Sequence, residues 1–111
     1  MWQLKTVQHD DGSIVYVDSV YYSFQRKVVF SYTVLLNPKQ AMPIYGYVDM
    51  PSENQVHILI DANNIGNNFE WFLELSGWSS HDIVFDIINY NRSDLVLFDS
   101  ISKKIFTLKK F

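Results

Sequence analysis

The feature that most constrains the fold is an alternating run between Val28 and Leu36. Every even-numbered position in it is β-branched, aromatic or leucine, whereas Ser31 and Thr33 share the opposite face. A period of two is typical of a strand with one buried face. Pro38 ends the run, because proline lacks the backbone donor and disfavours helical geometry in the residue before it. A chain built around such a segment is expected to contain a β-sheet.

Similar segments occur along the rest of the chain. Asp11-Gly12 separates two of them, and this dipeptide is a strong hairpin signal. The first third therefore predicts a three-stranded antiparallel meander, and the last two segments predict a hairpin around residues 100–103. The further predicted strands are residues 2–6, 13–24, 44–50 (between Pro43 and Pro51), 56–60, 95–98 and 105–108.

Helix is predicted mainly within residues 67–91. Residues 69–75 alternate as a strand would, but an Asn67–Glu70 capping pair and Gly77 at a C-cap position favour a helix. Ser79 and Asp82 resemble a capping box, and the apolar positions in 83–88 match a helix face. The predicted fold class is α+β. It consists of a mostly antiparallel sheet, with an N-terminal meander and a C-terminal hairpin, and one or two short helices packed on it.

Length and composition exclude several classes of protein. The chain has 111 residues, of which 48% are hydrophobic and none is cysteine. One domain over residues 1–111 is expected, without a disulfide scaffold, a thiolate zinc site or a cysteine nucleophile. No apolar run approaches a membrane span, and the first residues lack the apolar segment of a secretory signal. We therefore expect a cytoplasmic location and no membrane partner.

No motif indicates a cofactor, a metal or catalysis. The four glycines are far apart and match no phosphate-binding loop. The His9-Asp10-Asp11 run is typical of a solvated turn, and His57 and Asp61 on one strand would lie roughly 13 Å apart, too far to share a metal. The sequence thus predicts a protein without enzymatic activity or cofactor. A small hydrolase, with paired carboxylates or a Ser-His-Asp triad, is the third-ranked alternative.

Acidic residues are concentrated in the middle of the chain. Residues 43–99 contain nine acidic residues and one basic residue, whereas the last twelve contain four lysines and no acid, and the net charge of the chain is -3. A clustered negative field steers and holds a basic partner. Alternatively, the C-terminal lysines fold back onto these carboxylates and neutralise them. No nucleic-acid partner is expected. The residues predicted to bind a basic protein are Glu70, Glu74, Asp82, Asp86 and Asp61.

In size, charge and composition the chain resembles small bacterial immunity proteins, including those of contact-dependent growth inhibition systems. The resemblance covers the whole chain but includes no motif, so it assigns no residue a role. It implies a non-catalytic module that neutralises a cognate basic toxin domain, such as a nuclease, through an acidic surface.

A second resemblance concerns the first 36 residues. Trp2, Val7, Asp11-Gly12, Tyr16-Val17-Asp18 and Val28-Val29-Phe30 are similar to the opening of small surface-adhesin E-type proteins of Gram-negative bacteria. Those proteins are exported and often contain cysteines, whereas this chain has none. The resemblance implies an exported surface protein, as the alternative to an immunity protein.

Overall fold

The strands form most of the protein. A computed structural model of the chain describes residues 1–25, 29–37, 40–61 and 69–111. Within these ranges one helix, α1, spans Phe69–Ser76. The strands are β1 (Trp2–Gln8), β2 (Ile14–Tyr16), β3 (Val20–Gln25), β4 (Val29–Asn37), β5 (Gln40–Ser52), β6 (Gln55–Ile60), β7 (Asp82–Tyr90), β8 (Asp94–Asp99) and β9 (Lys104–Lys110).

The sheet closes on itself. From β3 to β9 each strand pairs antiparallel with the next, and β1 pairs with both β3 and β9. Trp2 lies opposite Lys110 in the closing pair, and Leu4 lies opposite Leu108. The result is an eight-stranded antiparallel barrel, with the short β2 beside the second half of β1. The predicted α+β fold is therefore wrong, because the sheet has joined its first and last strands instead of packing a face against helices.

Alternation along the strands places the apolar residues inside the barrel. Phe30, Tyr32 and Val34 of β4 are buried, as are Val56, Ile58 and Ile60 of β6. The strands predicted at residues 2–6, 56–60, 95–98 and 105–108 are confirmed, as is the hairpin signal at Gly12, whose φ is 90°. The single strand predicted at residues 13–24 is wrong in extent, because residues 17–19 divide it into β2 and β3. The strand predicted at residues 44–50 is longer than expected, since β5 includes both flanking prolines. The predicted strand end at Pro38 and the cap at Asn67 lie outside the described residues.

The helix predicted over residues 83–88 is wrong, because these residues belong to β7. Ile83 and Phe85 point into the barrel and are 3% and 0% exposed, whereas Val84 between them is 42% exposed. This is a period of two, and Asp82 begins the strand instead of a helix. The β-branched and aromatic side chains of the segment pack well on a pleated sheet, which outweighed the capping signal at Ser79.

One end of the barrel is closed by α1, which confirms the helix favoured for residues 69–75. Gly77 ends the helix with a φ of 75°, and its N–H donates to the Leu73 carbonyl. This turn directs Trp78 into the barrel, where its ring lies 5.2–5.9 Å from five other aromatic rings. The rings around Trp78 are those of Tyr22, Phe30, Tyr32, Phe72 and Phe85.

Candidate functional site

A cavity opens at the end of the barrel opposite α1. Its volume is about 970 Å³, and it lies where β3, β5, β7 and β9 end and where β1, β6 and β8 begin. Ligand pockets commonly have volumes of roughly 300–1,000 Å³. An eight-stranded barrel is just wide enough to be filled by side chains or to hold one small ligand. Here the aromatic cluster around Trp78 fills the closed half, and the other half remains open.

The inner wall of the cavity is apolar. Val48, Val56 and Leu95 form part of it and are 4–7% exposed, so they belong to the barrel core. Phe24 and Ile87 also line the cavity and are half-buried, although both pack against the core. Their remaining apolar surface faces the cavity and is available to a ligand.

Two strand irregularities shape the mouth of the cavity. The β5–β6 register shifts between Asp49 and Ser52, and the β7–β8 register shifts between Ile87 and Asn89. Bulges are common at barrel rims and next to binding sites, where they redirect side chains. Met50 and Ile88 lie within these irregular stretches, line the mouth and are each 60% exposed. The rim therefore presents large apolar side chains to solvent.

Aromatic and cationic side chains meet on one side of the mouth. The rings of Trp2 and Tyr90 lie 6.0 Å apart at 51°, and the Lys110 ammonium lies 5.0 Å from the centre of the Trp2 ring. All three residues line the cavity. Glu53, in the turn after β5, and Asp49, whose carboxylate is hydrogen-bonded to His57, also line the cavity. The mouth thus contains charges of both signs.

The five predicted binding residues do not all lie on one element, nor do they line the cavity. Glu70 and Glu74 are exposed on α1, at the closed end. Asp82 and Asp86 lie on the outer side of β7, and Asp61 follows the last residue of β6. The predicted association of Asp82 with a helix cap is wrong, since its backbone belongs to a strand.

His57 links three strands on the outside of the barrel. Its Nε2 lies 2.5 Å from an Asp82 carboxylate oxygen, and its Nδ1 lies 3.1 Å from one of Asp49. The hydrogen bond with Asp82 is the largest cause of the raised pKa of His57. Burial acts in the opposite direction and lowers this pKa, whereas the hydrogen bond with Asp49 raises it further. A protonated His57 can donate to both carboxylates, whereas a neutral ring can donate to only one. Among the described residues, no three metal-binding side chains form a site for a metal ion.

One of the C-terminal lysines neutralises a carboxylate of the acidic central block, as the alternative prediction proposed. Lys109 forms an ion pair with Asp94, and this contact lowers the pKa of Asp94. Lys104 instead donates to the Gly77 carbonyl at the end of α1. Neutralisation is therefore confirmed for one acidic residue of the central block. No helix of the described residues is long and apolar enough to span a membrane.

The residues that line the cavity were missed by the sequence analysis. Local signals did exist, because Ile87-Ile88 breaks the alternation of β7 and Pro51 interrupts β5. Proline in a sheet is confined to edges and bulges, so Pro51 indicated an irregular strand end. However, Trp2 and Lys110 come together only when the first and last strands pair, which no local pattern indicated.

Comparison with known proteins finds chains of similar structure among solved structures. No protein-family model and no curated protein matches the chain. A lipocalin-like protein from Bacteroides uniformis is similar over 99% of this chain and 94% of its own, with a TM-score of 0.83 and 25% identity. An uncharacterized protein from Bacteroides eggerthii is similar over 99% and 96% of the two chains, with a TM-score of 0.81 and 20% identity. Both likenesses support the closed barrel.

Proposed function

We propose that this protein binds a small, largely apolar molecule in the open half of its barrel. The observation that carries the proposal is the cavity of about 970 Å³, with its apolar inner wall and its mouth at the end of the barrel opposite α1. The similarity to a lipocalin-like protein supports the proposal because it supports the closed barrel that contains the cavity.

The chemistry of the wall supports an apolar ligand. Burial of apolar surface contributes about 25 cal/mol for each Å² removed from water. A ligand in contact with Phe24 and Ile87 would bury surface on both molecules, and Met50 and Ile88 would extend the contact at the mouth. The polar groups lie at the rim, so they would orient the ligand instead of supplying most of the free energy of binding.

A fluorescent probe tests the proposal directly. N-phenyl-1-naphthylamine is neutral and apolar, and its emission rises when it leaves water. We expect saturable binding at one site of the folded protein. The substitution Ile87→Arg places a charge and added volume at the cavity wall, and should weaken binding about tenfold or more, since a buried charge without a partner is costly.

The matched control is Ile101→Arg. Ile101 is 80% exposed in the β8–β9 turn at the closed end, so this variant makes the same chemical change away from the cavity. It should bind the probe as the wild type does. If Ile87→Arg does not fold, Ile88→Arg at the exposed rim takes its place. Absence of binding by the wild type, or equal binding by a folded cavity variant and the control, would contradict the proposal.

The second proposal is recognition of a basic protein, as an immunity protein would require. It is supported by the exposure of Glu70 and Glu74 on α1, neither of which forms an ion pair within the described part of the chain. Reversing both charges to lysine should slow association with a basic toxin domain and reduce its salt dependence, while leaving the melting temperature nearly unchanged. An unchanged association rate would reject the role of these two residues.

A further inference from the structure

We infer that the ligand of the cavity is an amphipathic anion, with its acid group against Lys110 and its apolar body inside the barrel. This inference rests on the proposed function, because it names the class of molecule that the same cavity would take. It depends on the position of Lys110, on the absence of an acidic partner among the described residues, and on the aromatic surface beside it.

The two lysines at the end of β9 have different surroundings. Lys109 forms an ion pair with Asp94 of the neighbouring strand β8. Lys110, one residue later, lines the cavity and forms no ion pair with any described residue. Successive side chains of a strand point to opposite faces, which explains the difference. Lys110 therefore brings a positive charge without an acidic partner to the mouth.

The surroundings of Lys110 favour an organic anion over a simple one. Its ammonium lies over the ring of Trp2 on β1, and the ring of Tyr90, at the end of β7, packs against Trp2. A cation over an aromatic face is attracted to the ring, so the Trp2 ring holds the ammonium on this side of the mouth. A carboxylate or sulfonate beside this ammonium would form a charge-assisted hydrogen bond. The apolar part of the same molecule would continue toward Phe24 and Ile87.

The acidic residues of the mouth do not compete for this position. The carboxylate of Asp49 is hydrogen-bonded to His57 on the outside of the barrel. Glu53 is exposed in the turn between β5 and β6, whereas Lys110 ends β9 next to β1. These carboxylates would repel an acid group placed on their side of the mouth, so the acid group is directed toward Lys110.

Two probes with the same apolar body test the inference. The probe 8-anilinonaphthalene-1-sulfonate differs from N-phenyl-1-naphthylamine by one sulfonate group. We expect the anionic probe to bind more tightly to the wild type. The substitution Lys110→Gln should weaken binding of the anionic probe about tenfold, the effect of one charge-assisted contact. It should change binding of the neutral probe less than about twofold. Added salt should reduce the difference between the probes.

Lys5→Gln is the matched control. Lys5 is exposed on β1 and does not line the cavity, so the variant has the same change in net charge at a different place. It should bind both probes as the wild type does. Near-ultraviolet circular dichroism establishes native packing in each sample, because the anionic probe also binds loosely packed states.

The outcomes separate this inference from the proposed function. If both probes bind equally, or if Lys110→Gln and Lys5→Gln have the same effect on the anionic probe, the ligand is not held as an anion at Lys110. Binding of the neutral probe in the cavity would still support the proposed function. Failure of both probes to bind would overturn the proposed function and this inference with it.

Discussion

Two buried tyrosines provide a sharp test of how polar groups are accommodated inside the barrel. Tyr22 and Tyr32 are both 0% exposed, and their rings lie 5.4 Å apart beside Trp78. The Tyr22 hydroxyl accepts a hydrogen bond of 2.9 Å from the Trp78 indole N–H. The Tyr32 hydroxyl has no hydrogen-bond partner among the described residues. Burial raises the pKa of both phenols, so both are neutral at physiological pH.

The same substitution should therefore have opposite effects at the two positions. Tyr22→Phe leaves the buried Trp78 N–H without its acceptor, which costs about 1–3 kcal/mol of the free energy of unfolding. Tyr32→Phe removes a hydroxyl that lost its water on folding and gained no partner. It should stabilise the protein by about 1 kcal/mol, the lower end of the cost of burying such a group. The two variants are expected to differ by at least about 2 kcal/mol.

Urea unfolding followed by far-ultraviolet circular dichroism measures this difference without relying on the Trp78 signal. Thermal unfolding gives a second measure, since a change of 1 kcal/mol in the free energy of unfolding shifts the melting temperature by about 4 °C. The melting temperature should rise by about 4 °C for Tyr32→Phe and fall by at least about 4 °C for Tyr22→Phe. Each variant is the control for the other, since both remove one hydroxyl from a fully buried ring. Equal destabilisation by both would refute the reasoning, because it would show that the Tyr32 hydroxyl has a partner in solution.

Two further predictions concern the barrel wall. Gly46→Ala should destabilise the protein by about 1–3 kcal/mol, because a Cβ would lie 2.4 Å from the Leu59 carbonyl oxygen; an unchanged melting temperature would contradict this close approach. The hydrogen bond with Asp82 raises the pKa of His57, so the protonated ring stabilises the folded protein. This stabilisation is complete below about pH 6.5, the pKa of an ordinary histidine, and is lost as pH rises through the raised pKa. Melting temperatures of the wild type should fall over that range relative to His57→Gln, and parallel profiles would refute the role of His57.

The strands that keep a period of two were predictable from the sequence. In β6 the buried side chains are Val56, Ile58 and Ile60, as predicted, and the described part of β4 buries Phe30, Tyr32 and Val34 as predicted but also Ser31. The end of α1 was also indicated, because Gly77 stands where a left-handed residue is needed. In these segments the local pattern and the tertiary contacts require the same conformation.

The strand β7 was predicted incorrectly for a physical reason that the structure supplies. The sequence has two successive isoleucines, Ile87 and Ile88, where β7 has its bulge. With Ile83 and Val84 they have the spacing of the apolar face of a helix. The capping signal at Ser79 and Asp82 strengthened the wrong interpretation. Neighbouring strands decided the outcome, since β7 pairs on one side with β6 and on the other with β8.

By itself the sequence determined which faces the regularly alternating strands bury, because side-chain alternation and turn residues act over a few positions. Closure of the barrel was decided only by the tertiary structure. An open sheet and a barrel use the same alternation, and the pairing of β1 with β9 joins opposite ends of the chain. The cavity follows from that closure, since its mouth combines Trp2, Lys110 and the end of β7. The sequence contained these residues, but only the closed sheet brings them together.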